Sequence, residues 1–170
     1  TILGAGVDVA ELAGADGRSW RKTHQLTDEP LIAFVGQQVA HKGIDTLIEA
    51  MPRVWQQLPS ARVVIAGKPT GYSPTIRTMV TKLPPAQQQQ VLQLDSLTDA
   101  EKNGLLAACD VLALPSRHES FGIVLVEAWA CGKPVVSCRV GGVAALLDEG
   151  QDGLLVPVGD AEALGQALLR

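Results

Sequence analysis

Val111-Leu112-Ala113-Leu114-Pro115-Ser116-Arg117-His118-Glu119-Ser120-Phe121-Gly122-Ile123-Val124-Leu125-Val126-Glu127-Ala128 is the stretch that decides the fold. Its first four residues form an apolar run of strand length, closed by Pro115. A helical pattern then runs to Ala130 and stops at Gly132. Two carboxylates, Glu119 and Glu127, lie eight positions apart. The first falls in the loop at the strand's C-terminal end, and the second falls about two turns into the helix. In open α/β sheets ligands bind at that edge. A helix N-terminus there offers free N–H groups and a positive dipole end to an anion. Acid, loop, glycine and helix start are together what a diphosphate-sugar site needs.

The same alternation recurs outward from this stretch. Residues 31–36 are a continuous apolar run, and Ile44, Leu47, Ile48, Met51 and Trp55 then recur at helical spacing. Pro52 is expected to kink or restart that helix. Further strands are read at residues 62–67, 91–94, 134–137 and 154–156. Helices are expected over 72–83, 99–109, 121–131 and 143–149 and from Ala161 onward, with Thr98 as N-cap of the second of these. Residues 10–30 are polar, with Gly14, Asp16, Gly17 and Asp28, and read as loop. Continuous apolar strands alternating with helices imply βαβ units and a parallel sheet covered on both faces. The expected fold is an α/β, Rossmann-like three-layer sandwich of about six parallel strands. It forms a single domain over 1–170, with 1–30 as connection and loop.

Composition narrows the function. Of 170 residues, 46% are hydrophobic and 19% charged, which fits a globular domain with a real core. The net charge is −4, with no basic run or basic-aromatic interleaving, so nucleic acid is not an expected partner. No apolar run approaches the length of a membrane span. Cys109, Cys131 and Cys138 have no metal-ligand spacing. They read as small buried hydrophobes, and as reduced thiols of a cytoplasmic protein. Trp20, Trp55 and Trp129 read as packing residues. The chain starts at Thr1 within what reads as a connection and stops inside a helical pattern, as a piece of a longer protein would.

Read together, the motifs resemble the C-terminal, donor-binding domain of GT-B-fold glycosyltransferases of the retaining group 1, or family 4. Gly6-Val7-Asp8, Phe34-Val35-Gly36 with Lys42-Gly43-Ile44-Asp45, and Ile65-Ala66-Gly67 match in order. So do Pro115-Ser116 with Glu119, Phe121-Gly122 and Glu127-Ala128, then Gly132-Lys133-Pro134, Gly141-Gly142 and Gly153-Leu154-Leu155-Val156. The resemblance implies a nucleoside-diphosphate sugar as donor, UDP-linked first and GDP- or ADP-linked as alternatives, with no cofactor; the sequence has no Asp-x-Asp cluster, so no metal is expected. It places the acceptor site in an N-terminal domain outside this chain, so that this piece alone would transfer no sugar.

Each site residue also has a reading of its own. Gly36 ends the first strand, where a ligand can approach without meeting a side chain. Lys42 is placed to set an ammonium beside a diphosphate. The bland alternative is a solvated lysine at a helix start, a poor electrostatic position for a cation. The Phe121, Gly122 and Ile123 amides begin the helix and lack intrahelical acceptors. The resemblance gives them to the donor's phosphates, gives Glu119 to the transferred sugar, and gives Glu127 to the ribose hydroxyls. As plain helix acids, Glu119 would face the dipole and Glu127 would be surface. The expected mechanism makes Lys42 and Glu119 the residues nearest the chemistry. At two positions the chain departs from the family pattern. Gln37 stands where an arginine usually follows the first-strand glycine, and Asp95 stands where a glycine usually ends the third strand. A binding-only relative and an unrelated flavodoxin- or receiver-like module are the alternatives. Gly36-Gln37-Gln38 lacks the acidic cluster that a receiver needs at its first strand.

Overall fold

The structure is a computed structural model that describes residues 6–170. The start of the chain, Thr1 to Ala5, lies outside the described residues. Six strands form one sheet: β1 (Leu31–Val35), β2 (Arg62–Ala66), β3 (Val91–Leu94), β4 (Val111–Leu114), β5 (Val135–Cys138) and β6 (Gly153–Val156). All neighbours pair in parallel, in the order β3-β2-β1-β4-β5-β6. The chain builds outward from β1 in one direction, then crosses back to start β4 on β1's other side. That crossing is the topological switch point, where two neighbouring strand-end loops diverge and leave a crevice. All five residues of β1 are buried, as expected of a strand covered on both faces.

The connecting helices are α3 (Ile44–Gln57), α4 (Ser73–Thr81), α5 (Pro85–Gln88), α6 (Asp99–Ala108), α7 (Ile123–Ala130), α8 (Gly141–Leu146) and α9 (Ala161–Ala167). Thr98 caps α6 as expected, and Glu101 reaches back to the Thr98 amide to complete a capping box. Two expectations are corrected here. Pro52 does not end or restart α3, which runs for 14 residues with the proline inside it. Ile44, Leu47, Ile48, Met51, Val54 and Trp55 are all buried on its inner face. Burial at about 1.5–3 kcal/mol per large side chain outweighs the roughly 3 kcal/mol that an interior proline costs.

Residues 10–30 are not simply loop. They hold α1 (Val9–Ala13) and α2 (Gly17–Thr23), capped by Asp8 and Asp16 respectively. Each buries one large side chain, Leu12 and Trp20. Trp20 lies on Gly104 of α6, where a Cβ would come within 2.9 Å of the ring. A single buried residue per short helix leaves no period to read in the sequence. Trp20 and Trp55 are core residues, and half-buried Trp129 donates its indole N–H to the Asp152 carbonyl at 2.9 Å. Cys109 and Cys138 are buried, Cys131 is half-buried, and all three are unpaired. Burial pushes the Cys109 thiol up to about 12, which leaves it inert.

Candidate functional site

The loops after β1, β2 and β4 converge at the C-terminal edge of the sheet, and two glycines set how closely they approach. Gly43 follows a single 3₁₀ turn, Ala40–Lys42, with φ at 71°. A Cβ there would stand 1.9 Å from the Pro115 carbonyl oxygen, so only glycine lets the β1 and β4 loops touch. Gly67, with φ at 143°, presses in the same way on Gly36, whose carbonyl oxygen would lie 2.0 Å from an added Cβ. Gly36 itself meets nothing closer than the Phe34 ring at 3.4 Å, and its N–H continues the ladder to the Ala66 carbonyl. Gly67 is therefore the sterically obligatory glycine of that pair.

Arg117 ties the β1 and β4 loops together. Its guanidinium spans both Asp45 oxygens, at 2.9 and 2.8 Å, and also donates to the Ala40 carbonyl. Its backbone N–H donates to the His41 carbonyl at 2.7 Å. The Asp45 carboxyl sits below its ordinary value. Burial works to raise it, and the hydrogen bonds from Arg117 and the Thr46 amide, with the Arg117 charge, outweigh that. The stabilisation from this carboxylate is complete above about pH 4 and is lost as pH falls through the lowered native value. The pair is partly open to solvent, so Asp45→Asn should cost only about 1 kcal/mol at neutral pH. In urea unfolding the gap to the wild type should close as pH falls through the lowered native value. A gap that persists in acid would mean that the carboxylate's charge is not its source.

This clamp brings two expected site residues into contact. Lys42 Nζ lies 2.6 Å from Glu119 Oε2, with the two side chains 21% and 11% exposed. The other oxygen, Glu119 Oε1, accepts the Gly122 N–H at 3.2 Å. This corrects the expectation of three free amides at the helix start. Gly122 is a left-handed cap at φ 69°, α7 begins at Ile123, and the Gly122 amide is already bonded. Among the described residues, the Phe121 and Ile123 amides have no partner. The Lys42 ammonium is thus paired with Glu119. Phe121 is 49% exposed beside these groups.

Glu127 is not a plain surface acid either. Its Oε1 lies 2.6 Å from Lys102 Nζ on α6, with the carboxylate side chain 14% exposed. Lys102 also lines a cavity of about 420 Å³ with Gly36, Gln37, Gly67, Lys68 and Ser96. Gln37 is exposed. Its neighbour Gln38 is fully buried and donates to the Gly67 carbonyl at 3.0 Å and to Asp95 Oδ1 at 3.2 Å. Gln38 Oε1 has no partner among the described residues. Sequence reading missed Lys102 and Gln38. Lys102 meets Glu127 across 25 positions, and no motif joins them. Gln38 is one of two adjacent glutamines, and only the packing separates the buried one from the exposed one. A second cavity, about 300 Å³ and mainly apolar, lies at the opposite sheet edge against Leu31, Val135 and Leu154, away from this polar cluster.

Residues 16–170 match the family described as Glycosyl transferases group 1. The chain belongs to this family. A D-inositol 3-phosphate glycosyltransferase of Mycobacteroides abscessus is 35% identical over 99% of the chain. The chain spans 39% of that group 1 relative's length. Anabaena HepE, solved with UDP and glucose, superposes on 99% of the chain with a TM-score of 0.87 at 26% identity, and 46% of HepE is covered. The C-terminal domain of a group 1 glycosyl transferase from Francisella tularensis shares the fold, with a TM-score of 0.83 at 20% identity. That match covers 96% of this chain and 86% of that one. The group 1 domain described here is thus a Rossmann-like α/β half of a GT-B architecture, as the motifs implied. Among its described residues no helix is long and apolar enough to cross a membrane.

Proposed function

We propose that this domain holds the nucleoside-diphosphate sugar of a retaining glycosyltransferase, with UDP as the nucleotide. The observation that carries the reading is the Lys42–Glu119 pair beside the Phe121 and Ile123 amides at the switch point of the sheet. There, N–H groups at a helix start and a nearby ammonium face the place where a leaving diphosphate gathers charge. UDP in the HepE complex supports the choice of nucleotide. In this reading the diphosphate draws Lys42 from Glu119 and lies against the free amides. Glu119 then faces the transferred hexosyl group, and Glu127 accepts hydrogen bonds from the ribose hydroxyls. The acceptor hydroxyl attacks from the face that the diphosphate leaves, with retention at the anomeric carbon. The named activity of the mycobacterial relative makes an inositol phosphate a reasonable acceptor to assay. That acceptor would be bound by residues outside this chain.

The 170-residue chain is expected to bind UDP at roughly 0.1–1 mM, about 4–5.5 kcal/mol, and to transfer no sugar alone. Calorimetry with UDP, GDP and ADP tests this. Indifference to all three at several millimolar would reject the reading. Sugar transfer by this chain alone would reject the need for a second domain.

A further inference from the structure

Among the described residues, four lysines and arginines at the C-terminal sheet edge have acidic partners. Lys42 is held by Glu119, Lys102 by Glu127, Arg117 by Asp45 and Arg139 by Glu149. Lys68, in the loop after β2, has no ion-pair or hydrogen-bond partner for its ammonium among the described residues. It is exposed and lines the same 420 Å³ cavity as Gly36 and the neutral Gln37. Its own carbonyl accepts the Gln38 N–H at 3.0 Å, and Gly67 packs on Gly36. The loop that carries Lys68 is therefore locked beside the loop that carries Gln37.

Charge accounting makes this position matter. A diphosphate brings about two negative charges, and a cation already neutralised by a carboxylate attracts it little until the pair separates. We infer that Lys68 is a diphosphate-contacting cation of this site, supplying from the β2 loop the charge that residue 37 lacks. The inference rests on the reading of this sheet edge as a nucleoside-diphosphate site. It assigns the first electrostatic contact to the unpaired lysine and leaves Lys42 to exchange partners afterwards. A lysine suits the task because an ammonium on a flexible stem follows a phosphate as a point charge and needs no fixed fork geometry.

The test compares UDP with uridine, which has the same base and ribose and no phosphate. Lys68→Gln in the 170-residue chain should weaken UDP about five- to tenfold at low ionic strength, as loss of one charged contact would. Uridine, followed by ligand-observed NMR, should bind the variant and the wild type alike. Lys68→Arg should keep UDP affinity. Gln37→Arg placed in the Lys68→Gln chain should restore it, because the new guanidinium enters the same cavity. The side chain is exposed, so thermal melting should show every variant folded. If the wild type binds UDP and Lys68→Gln binds it equally well, the role of Lys68 is rejected and the nucleotide reading stands. If UDP and uridine weaken together, the contact is not with phosphate and the inference fails. If the wild type binds neither, the nucleotide reading and this inference fall together.

Discussion

Gly43→Val should destabilise the domain by about 2–6 kcal/mol, the largest effect expected of a single loop change here. Two costs add. A β-branched residue held near φ 71° is strained by about 1–3 kcal/mol. The new Cβ would also meet the Pro115 carbonyl oxygen at 1.9 Å, and relieving that overlap costs about another 1–3 kcal/mol. The obstacle is backbone, so no rotamer change avoids it. For a chain of this size the loss corresponds to a fall in Tm of roughly 4–24 °C. Urea unfolding checks the energy, and UDP titration of the folded fraction checks the site. The β1 and β4 loops must part to admit the side chain, so the Lys42–Glu119 distance should grow and nucleotide affinity should fall as well. Stability within about 0.5 kcal/mol of the wild type would show that the two loops do not touch in solution.

The second large effect separates the two glutamates. If Glu127 accepts from the ribose hydroxyls as proposed, Glu127→Gln should weaken UDP by about 1.5–3 kcal/mol, because it replaces a charged acceptor with a neutral one and leaves Lys102 with Asp99, at 3.6 Å, as its remaining anion. UDP-glucose should weaken equally, since the ribose is common to both ligands. Glu119→Gln should behave differently. It releases Lys42 and loosens the hold on the Gly122 amide, two groups favourable to phosphate. UDP affinity should therefore stay level or rise slightly, and under the proposed function the loss should appear only in a sugar-transfer assay that supplies the acceptor-binding residues outside this chain. Calorimetry on both variants decides the matter. Equal weakening of bare UDP by both substitutions would remove the division between a ribose acid and a sugar acid.

Much of this architecture was legible in the chain because parallel strands buried on both faces are written as unbroken apolar runs. Residues 31–35, 62–66 and 111–114 could be read almost to the residue for that reason. The α1 and α2 helices were hidden because one buried side chain each, Leu12 and Trp20, makes no period. Pro52 misled because local propensity was overruled by a face of six large buried side chains. At the site, the motifs pointed to Glu119, Glu127 and Lys42 but not to the pairs they form. Their ion pairs depend on contacts 77 and 25 positions apart, which no local pattern encodes. The same limit explains why a three-amide anion nest was expected: the carboxylate that occupies the middle amide is visible only in three dimensions.

The seam between β1 and β4 has a consequence for how this domain becomes competent. It is crossed by the Lys42–Glu119 and Asp45–Arg117 pairs, which join residues 77 and 72 positions apart. Contacts of such separation close large loops and form slowly compared with those inside a single βαβ unit. A chain whose two half-sheets have collapsed but not yet met would hold most of its secondary structure without the Lys42–Glu119 and Asp45–Arg117 pairs. Competence then arrives in one step, when the halves zip together. A nucleotide bound across the seam resists separation of the whole sheet, so its free energy stabilises the entire domain and not merely a loop.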